Sequence, residues 1–479
     1  MRYVDRCTVI GAVLAGTLLA SCAGSPGVPG PVARMTGVAP MLAAPAPLPD
    51  VPSLTEERCI DERDFVPMAD PTPGINRLRA LVSRHVDCRQ GESAPVALRV
   101  GDAEAGRVRA GPDGEEGGKG SVGSIGTARF VSRVSVYGPS NALRKRVSVA
   151  LRAVDVTRGP VWSEGDGVLM VQVKPVFTCG PAQELFDEPP ACHVASGDPI
   201  AVPVDGREVS GEYVIEFDWT PRPGQVKDVV TFDLAFNTFA YWVRDASHAV
   251  GSGAGSGRSS DVSPGDAPVF DAGLDAAGVR IRCDRGVARA GTKGCIFPQA
   301  AAVFVVSSGA EAGAEAVAHM DDALGHGAPG RFRMRPGFRA IADESAMAER
   351  GALHRTQIAA MRDANRYASC STVSTSVISL HPQHSASCPN ERADPCDCDE
   401  YPFASTYEGA FAGRTTTSAR FVSRTDNRAV GSALADFYAR QRVIDMSYET
   451  GQRGTLKNPY SSFVFDGSGD AFWVHIAPR

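Results

Sequence analysis

The chain has 479 residues, 43% of them hydrophobic and 22% charged, with a formal net charge of −6. That size accommodates several domains and an ordinary packed core, and the charge balance excludes a strongly basic nucleic-acid coat protein and an acidic disordered tail protein. Its 50 Gly and 34 Pro exceed one residue in six, and its 12 Cys are many for a reduced cytosolic enzyme yet too few for a knottin-like scaffold.

Arg2 and Arg6 precede a short apolar run from Val9 to Ala20, the charged and apolar regions of a secretory signal. The run is shorter than the ~20 apolar residues of a membrane-spanning helix. It ends in Leu19-Ala20-Ser21-Cys22, which resembles the bacterial lipobox and implies acylation of Cys22. Acyl chains contribute roughly 0.8 kcal/mol per buried CH₂, so two or three of them hold a protein on a membrane. The expectation is a signal peptide at 1–22, a flexible Pro/Ala/Gly-rich stalk at 23–55, and an exported protein lipid-anchored at the extracytoplasmic face.

Setting aside Cys7 in the signal and Cys22 leaves an even set of cysteines in local pairs: Cys59 with Cys88, Cys179 with Cys192, Cys283 with Cys295. In an oxidising compartment these read as disulfides. Pairing within Cys370, Cys388, Cys396 and Cys398 is open. Cysteines as close as Cys396 and Cys398 rarely bridge each other, which favours Cys370–Cys398 with Cys388–Cys396. A zinc cluster of His381, His384, Cys388, Cys396 and Cys398 fits no standard finger spacing.

Residues 56–126 read as a small disulfide-closed or loop-rich region. The run Gly118-Lys119-Gly120-Ser121-Val122-Gly123 has no strand before it and no helix after it, so it is not a nucleotide-binding turn. Over 127–245 the texture is strand-like. Val147, Val149 and Leu151 alternate with polar residues, as do Tyr213, Ile215, Phe217 and Trp219, and again Val230, Phe232, Leu234 and Phe236. Period-two aromatic and β-branched runs between turn residues argue an antiparallel sandwich, open to an unknown binding partner. Residues 246–268 form a Gly/Ser linker. Beyond it come a strand at Val303–Val306, helices at Glu311–Leu324 and Glu344–Tyr367, a loop from Ser371 to Pro395, a strand at Ser418–Ser423, a helix at Gly431–Arg440 capped by Asp426 or Asn427, and a closing strand at Phe472–Ile476. No Gly-x-Ser-x-Gly elbow is present for a serine hydrolase, and His354 and His475 carry no motif.

The densest chemical signal is Asp397-Cys398-Asp399-Glu400-Tyr401-Pro402, an acidic turn, with Glu408 following. Clustered carboxylates repel and call for a cation or a solvated face; a hard divalent ion such as Mg²⁺ takes oxygen ligands. Arg420 and Arg428 flank the start of the last helix, and helix N-termini bind phosphate.

Cys398-Asp399-Glu400-Tyr401-Pro402-Phe403-Ala404-Ser405-Thr406 with Glu408-Gly409, then Phe421-Val422, Asp426-Asn427-Arg428 and Gly431-Ser432, together resemble the NucA/NucB deoxyribonuclease family. Arg442-Val443-Ile444-Asp445 and Phe472-Trp473-Val474 extend the likeness. It is most specific across 396–479 and looser over 270–479. The expected fold class is α+β, multidomain: the antiparallel β-sandwich-like middle domain read from alternation, followed by the compact ββα-metal-type nuclease domain that the resemblance implies. The resemblance also implies a metal-dependent, non-specific endonuclease using Mg²⁺ or Mn²⁺ on DNA or RNA. Carried over, Asp399, Glu400 and Glu408 are the catalytic acids, Asn427 and Asp399 the metal ligands, and Arg428, Ser432 and Arg420 the phosphate contacts. The rival expectation is a non-catalytic surface lipoprotein that binds through its β domain and carries a degenerate nuclease fold. Across 395–479 nine Lys and Arg face ten Asp and Glu, too little positive charge for tight DNA binding.

Overall fold

A computed structural model describes residues 66–67, 77–99, 124–159, 169–181, 191–220, 229–243, 268–274, 279–307, 313–333, 351–370, 388, 396–411, 416–445 and 470–478. The signal peptide, Cys22, the stalk, Cys59, residues 246–267 of the linker, His381, His384 and residues 446–469 lie outside the described residues. The described chain is mostly β-sheet with three helices.

The N-terminal strands are β1 (Val66–Pro67), β2 (Arg77–Ser83), β3 (Val86–Glu92), β4 (Val96–Arg99), β5 (Ser124–Tyr137), β6 (Arg144–Arg158) and β7 (Met170–Pro181). They continue with β8 (Ala191–Ser196), β9 (Ile200–Pro203), β10 (Glu208–Asp218), β11 (Val229–Val243), β12 (Val269–Asp271), β13 (Val279–Arg285) and β14 (Lys293–Ile296). One sheet runs β1-β2-β3-β5-β6-β10-β8 with β4 beside β5; the other runs β14-β13-β11-β7-β9 with β12 beside β11. All pairings within both are antiparallel. Their inner faces share one core, in which Val147, Val149, Leu151, Tyr213, Ile215 and Phe217 of the first sheet meet Phe232, Leu234 and Phe239 of the second.

The alternation on β11 explains why one buried face can outlast the sequence pattern. Val230, Phe232, Leu234 and Phe236 are buried, and then the phase slips, so that Phe239, Tyr241 and Val243 are buried instead. The register against β7 shifts between Ala235 and Thr238. An irregularity of this kind resets the two-residue period and keeps both halves of a long strand facing the core.

Two expected boundaries differ from what is observed. The region 56–126 contributes β1 to β4 to the first sheet, pairing through β3 and β4 to β5. The boundary at 270 falls inside β12, and β13 and β14 belong to the sandwich rather than to the C-terminal part. Isolated strands expose unpaired backbone groups, so short segments on either side of the alternating runs complete the sheet ladders. Disulfides join Cys179 to Cys192 and Cys283 to its cross-strand partner Cys295. Cys88 is also disulfide-bonded.

The C-terminal part is built from β15 (Ala302–Ser307), helix α1 (Ala314–Gly325), β16 (Leu353–His354), α2 (Ala359–Cys370), β17 (Cys396–Tyr401), β18 (Ser418–Ser423), α3 (Arg424–Arg440) and β19 (Ala471–Ala477). β19 lies between parallel β15 and antiparallel β16, and β17 pairs with β18 as a separate antiparallel hairpin. Phe304, Phe403, Phe437, Tyr438 and Phe472 pack together at the centre. Each such ring contributes roughly 1.5–3 kcal/mol by burial. The helix expected over 344–367 is observed from Ala359, because Leu353 and His354 pair with β19 instead. The expected acidic turn at 397–400 is a strand.

A buried ion-pair network ties the sandwich to the C-terminal part. Asp470, just before β19, accepts hydrogen bonds from Arg84 in the β2–β3 turn (2.6 Å) and Arg282 on β13 (2.7 and 2.5 Å). Its second oxygen also accepts the Ile444 N–H at 3.0 Å. Arg442, after α3, is paired with Asp284 on β13 and donates to the Ser140 carbonyl. Burial alone would raise the Asp470 carboxyl, but Arg282 and Arg84 outweigh it and hold the group down at about 2. Nearby Lys145, buried at the start of β6, is pushed down to about 7 by burial and by Arg442.

Removing Asp470 takes the carboxylate from two buried guanidinium groups, so Asp470→Ala destabilises the chain by about 3–5 kcal/mol in urea unfolding. Because the folded pKa is depressed below the unfolded value of about 3.9, the ionised group's stabilisation is complete above that value. It is lost as pH falls through about 2. The stability gap between the wild type and Asp470→Asn therefore closes on acidification, which urea midpoints across that range measure.

Candidate active site

The strand β17 displays its acidic residues on two faces, because successive side chains of a strand point to opposite sides. Asp399 and Tyr401 are buried, and their register partners on β18 are Arg420 and Ser418. This face packs against α1. His319 of α1, fully buried, places Nδ1 at 2.7 Å from Asp399 Oδ2 and Nε2 at 2.9 Å from Ser418 Oγ. Arg420 donates to Asp322 of the same helix. Cys398 and Glu400 face the other way, toward α2, where Cys398 is disulfide-bonded to Cys370. The second expected bridge, Cys388–Cys396, is also present.

The α1 and α3 N-termini cap each other. The Glu315 N–H donates to Asp426 Oδ2 at 2.8 Å, and the Ser423 N–H donates to Glu315 Oε2 at 2.7 Å. Asp426 thus satisfies the orphan donor of a neighbouring helix rather than of its own, and the N-cap of α3 is Ser423. Gly313, which begins α1 with a φ of 94°, lies where a Cβ would come within 2.9 Å of Val430 on α3.

A cleft of about 920 Å³ opens beside this hairpin. Asp399 and Glu400 from β17, and Asn427, Ser432 and Asp436 from α3, line it. So do four arginines: Arg355 after β16, Arg362 and Arg366 on α2, and Arg289 from the β13–β14 turn. Asn427, on the first turn of α3, donates its Nδ2 to the Cys398 carbonyl at 3.2 Å. The amide is thereby oriented with its oxygen available as an acceptor. Glu400 Oε1 is 4.0 Å from Arg366 Nε, and Oε2 is 3.8 Å from the disulfide sulfur of Cys370. Burial, and then the charge of Asp399, push the Glu400 carboxyl up to about 7 against the pull of Arg366.

Cys370 Sγ, Cys398 Sγ and a Glu400 oxygen gather within 4.8 Å of one another. Two of the three are the sulfurs of one disulfide, and metal-binding sulfur is thiolate. The available donors are therefore the hard oxygens of Asn427 and the carboxylates, the set that Mg²⁺ or Mn²⁺ takes together with substrate phosphate and water.

The sequence-predicted residues divide. Asp399, Glu400, Asn427 and Ser432 line the one cleft. Glu408 instead clamps His354, accepting its backbone N–H at 2.9 Å and meeting its Nδ1 at 2.7 Å. That grip fixes the segment carrying Arg355, whose guanidinium donates to the Ala288 and Val443 carbonyls and lies 4.6 Å from the Tyr438 ring centre. Gly409 is where a Cβ would overlap Asn365, whose amide donates to the Ala404 and Thr406 carbonyls before it and accepts the Phe411 N–H after it. Arg420 is turned to Asp322, and Arg428, exposed, approaches Asp397 at 3.8 Å. Neither is among the residues lining the cleft. The cationic residues that do line it, Arg289, Arg355, Arg362 and Arg366, went unrecognised in the sequence. The spacing of Arg362 and Arg366, one helical turn apart, was a usable signal. His319, alone in an alanine-rich helix, gave none.

An acidic pair at the base of an arginine-rimmed cleft, with an amide oxygen at a helix N-terminus beside it, is a site suited to phosphodiesters. Residues 346–447 match the family model of deoxyribonuclease NucA/NucB. The C-terminal part of the chain thus carries a domain of that deoxyribonuclease type. Searches of curated proteins and of solved structures found no match to the chain.

Replacing His319 leaves the buried Asp399 oxygen and Ser418 hydroxyl without that partner. His319→Ala is expected to cost about 1–3 kcal/mol, read as a lowered thermal midpoint of the full chain.

Proposed function

We propose that the protein is an exported, lipid-anchored, metal-dependent endonuclease that hydrolyses phosphodiester bonds of DNA outside the cytoplasm. The observation that supports it most directly is the convergence of Glu400, Asp399, Asn427 and Ser432 with Arg362 and Arg366 in one cleft, at the heart of the segment matched to the deoxyribonuclease family. The order hairpin, then helix, with Asn427 on the helix's first turn, is consistent with a ββα-metal arrangement.

Glu400 lines the cleft, 4.0 Å from Arg366, and it is the proton acceptor. Asp399 is held by His319; burial first, and then the neighbouring Asp399, raise Glu400's proton affinity. The attacking water gives a proton to Glu400 as its oxygen bonds to phosphorus. The bond from phosphorus to the 3′ oxygen breaks, and the leaving oxygen takes a proton from solvent. Arg362, Arg366 and Ser432 hold the phosphate oxygens, the guanidinium groups through charge-assisted hydrogen bonds. Asn427 Oδ1 and the Asp399 carboxylate are the groups that would hold Mg²⁺ or Mn²⁺. Such an ion, when bound, supplies charge neutralisation at the phosphate and the leaving oxygen.

The full chain is expected to nick plasmid DNA with Mg²⁺ or Mn²⁺ and to be silent with EDTA. Glu400→Gln is expected to lower the rate by about 10²–10⁴, and Asn427→Ala is expected to raise the metal concentration needed for half-maximal activity. A folded, disulfide-intact chain that leaves plasmid and RNA whole with either ion would overturn the nuclease reading in favour of a surface binding protein.

The anchor has its own test. Cys22→Ala is expected to move the protein from the membrane fraction to the soluble exported fraction and to abolish labelling by a fatty-acid analogue.

A further inference from the structure

We infer that the β-sandwich supplies one wall of the nucleic-acid cleft, and that Arg289 in the β13–β14 turn binds a phosphate flanking the scissile one. The inference rests on the nuclease reading of the cleft and names a substrate contact that lies outside the family match, which begins at 346.

The turn is built to hold a fixed position. Its base is the Cys283–Cys295 bridge across β13 and β14. Inside it, the Gly286 N–H donates to the Thr292 carbonyl at 2.6 Å, and both the N–H and the hydroxyl of Thr292 donate to the Arg289 carbonyl. Asp284 accepts the Ala288 N–H. From the C-terminal part, Arg355 donates to the Ala288 carbonyl and Gln357 to the Val287 carbonyl. Val287 and Ala288 are buried against Ile444. A backbone gripped from both sides does not drift, so the side chain that points outward from it is presented to the cleft at a defined place.

That side chain is Arg289, 62% exposed and lining the same cleft as Glu400 and Asn427. Its described partner is Asp436 of α3, also exposed, at 3.3 Å. Solvent-exposed pairs of this kind contribute little to stability, so a phosphate oxygen can take the place of Asp436 at small cost. Arg289 sits on the sandwich side, while Arg362 and Arg366 stand on α2 beside the acidic pair. A strand crossing the cleft therefore meets cations at two places, one at the reacting phosphate and one displaced from it. Asp436 opposes the second contact and weakens it. The chemistry fits a single polynucleotide backbone and has no need of base identity, because every contact named is to phosphate.

The experiment compares the full chain with Arg289→Ala, Arg289→Lys and Asp436→Asn. Two substrates are used: an oligonucleotide long enough to cross the cleft, and the small diester thymidine 5′-(p-nitrophenyl phosphate). In Arg289→Ala, the ratio of kcat/KM on the oligonucleotide to that on the small diester is expected to fall about tenfold. Binding of a labelled oligonucleotide, followed by anisotropy in EDTA, is expected to show a salt dependence shallower by about one phosphate contact. Arg289→Lys restores the salt slope, and Asp436→Asn tightens binding. Equal losses on both substrates, or an unchanged ratio and slope, would overturn the proposal. A wild-type chain that cleaves neither substrate overturns the nuclease reading instead, and the binding arm then decides the subsite by itself.

Discussion

Asp470 holds the two halves of the molecule together. It draws Arg84 and Arg282 out of the sandwich onto one carboxylate, while Arg442 reaches back to Asp284 and Ser140. Charges this deeply buried are costly unless every partner is in place, so the network tolerates only one docking of the C-terminal segments on β13. That same β13 leads into the turn that lines the cleft. The electrostatic lock therefore does more than stabilise. It sets where Arg289 stands relative to α3, and it makes a sheet that carries no chemistry of its own part of the site.

Within the site, the deciding constraint is the two-residue period of β17. Asp399 and Glu400 are neighbours in sequence, yet one is turned into a buried contact with His319 while the other faces Arg366 across the cleft. As a strand it gives two adjacent acids opposite surroundings, and burial together with the neighbouring Asp399 raises the Glu400 carboxyl. Asn427 depends on the same strand, because its amide is oriented by the Cys398 carbonyl.

The sandwich was legible where alternation was regular. Val147 to Leu151, Tyr213 to Phe217 and Val230 to Phe236 all face the core as their period predicts. Short strands such as β1, β4 and β12 escaped, since a few residues carry no period. The phase change on β11 is set by pairing with β7, which no local pattern reveals. At the site, Asp399 and Glu400 stood out as clustered carboxylates, the roles given to Asn427 and Ser432 came from the resemblance, and the local cysteine pairs anticipated four of the disulfides. Arg420 and Arg428 were nominated because they lie near the helix start in sequence, but strand and helix geometry turn them to Asp322 and toward Asp397. Glu408 looked like a catalytic acid because it follows the acidic motif. In the structure it contacts His354, 54 residues away, a contact that only the fold discloses.

The near-neutral charge of the C-terminal segment acquires a different meaning once the cleft is in view. A net charge of −6 over the chain gives no long-range attraction for a polyanion, and fields beyond about 8–10 Å are screened at physiological salt in any case. Capture then depends on cations at contact distance. Arg355, Arg362 and Arg366 come from the C-terminal part and Arg289 from the sandwich, so counting charges along one stretch of sequence misses part of them. Three of the four already have partners: Arg355 backbone carbonyls and the Tyr438 ring, Arg289 Asp436, and Arg366 Asp363 and Glu400. A cleft assembled in this way draws its positive charge from two parts of the fold and places it locally, where a charge count over one stretch of sequence does not see it.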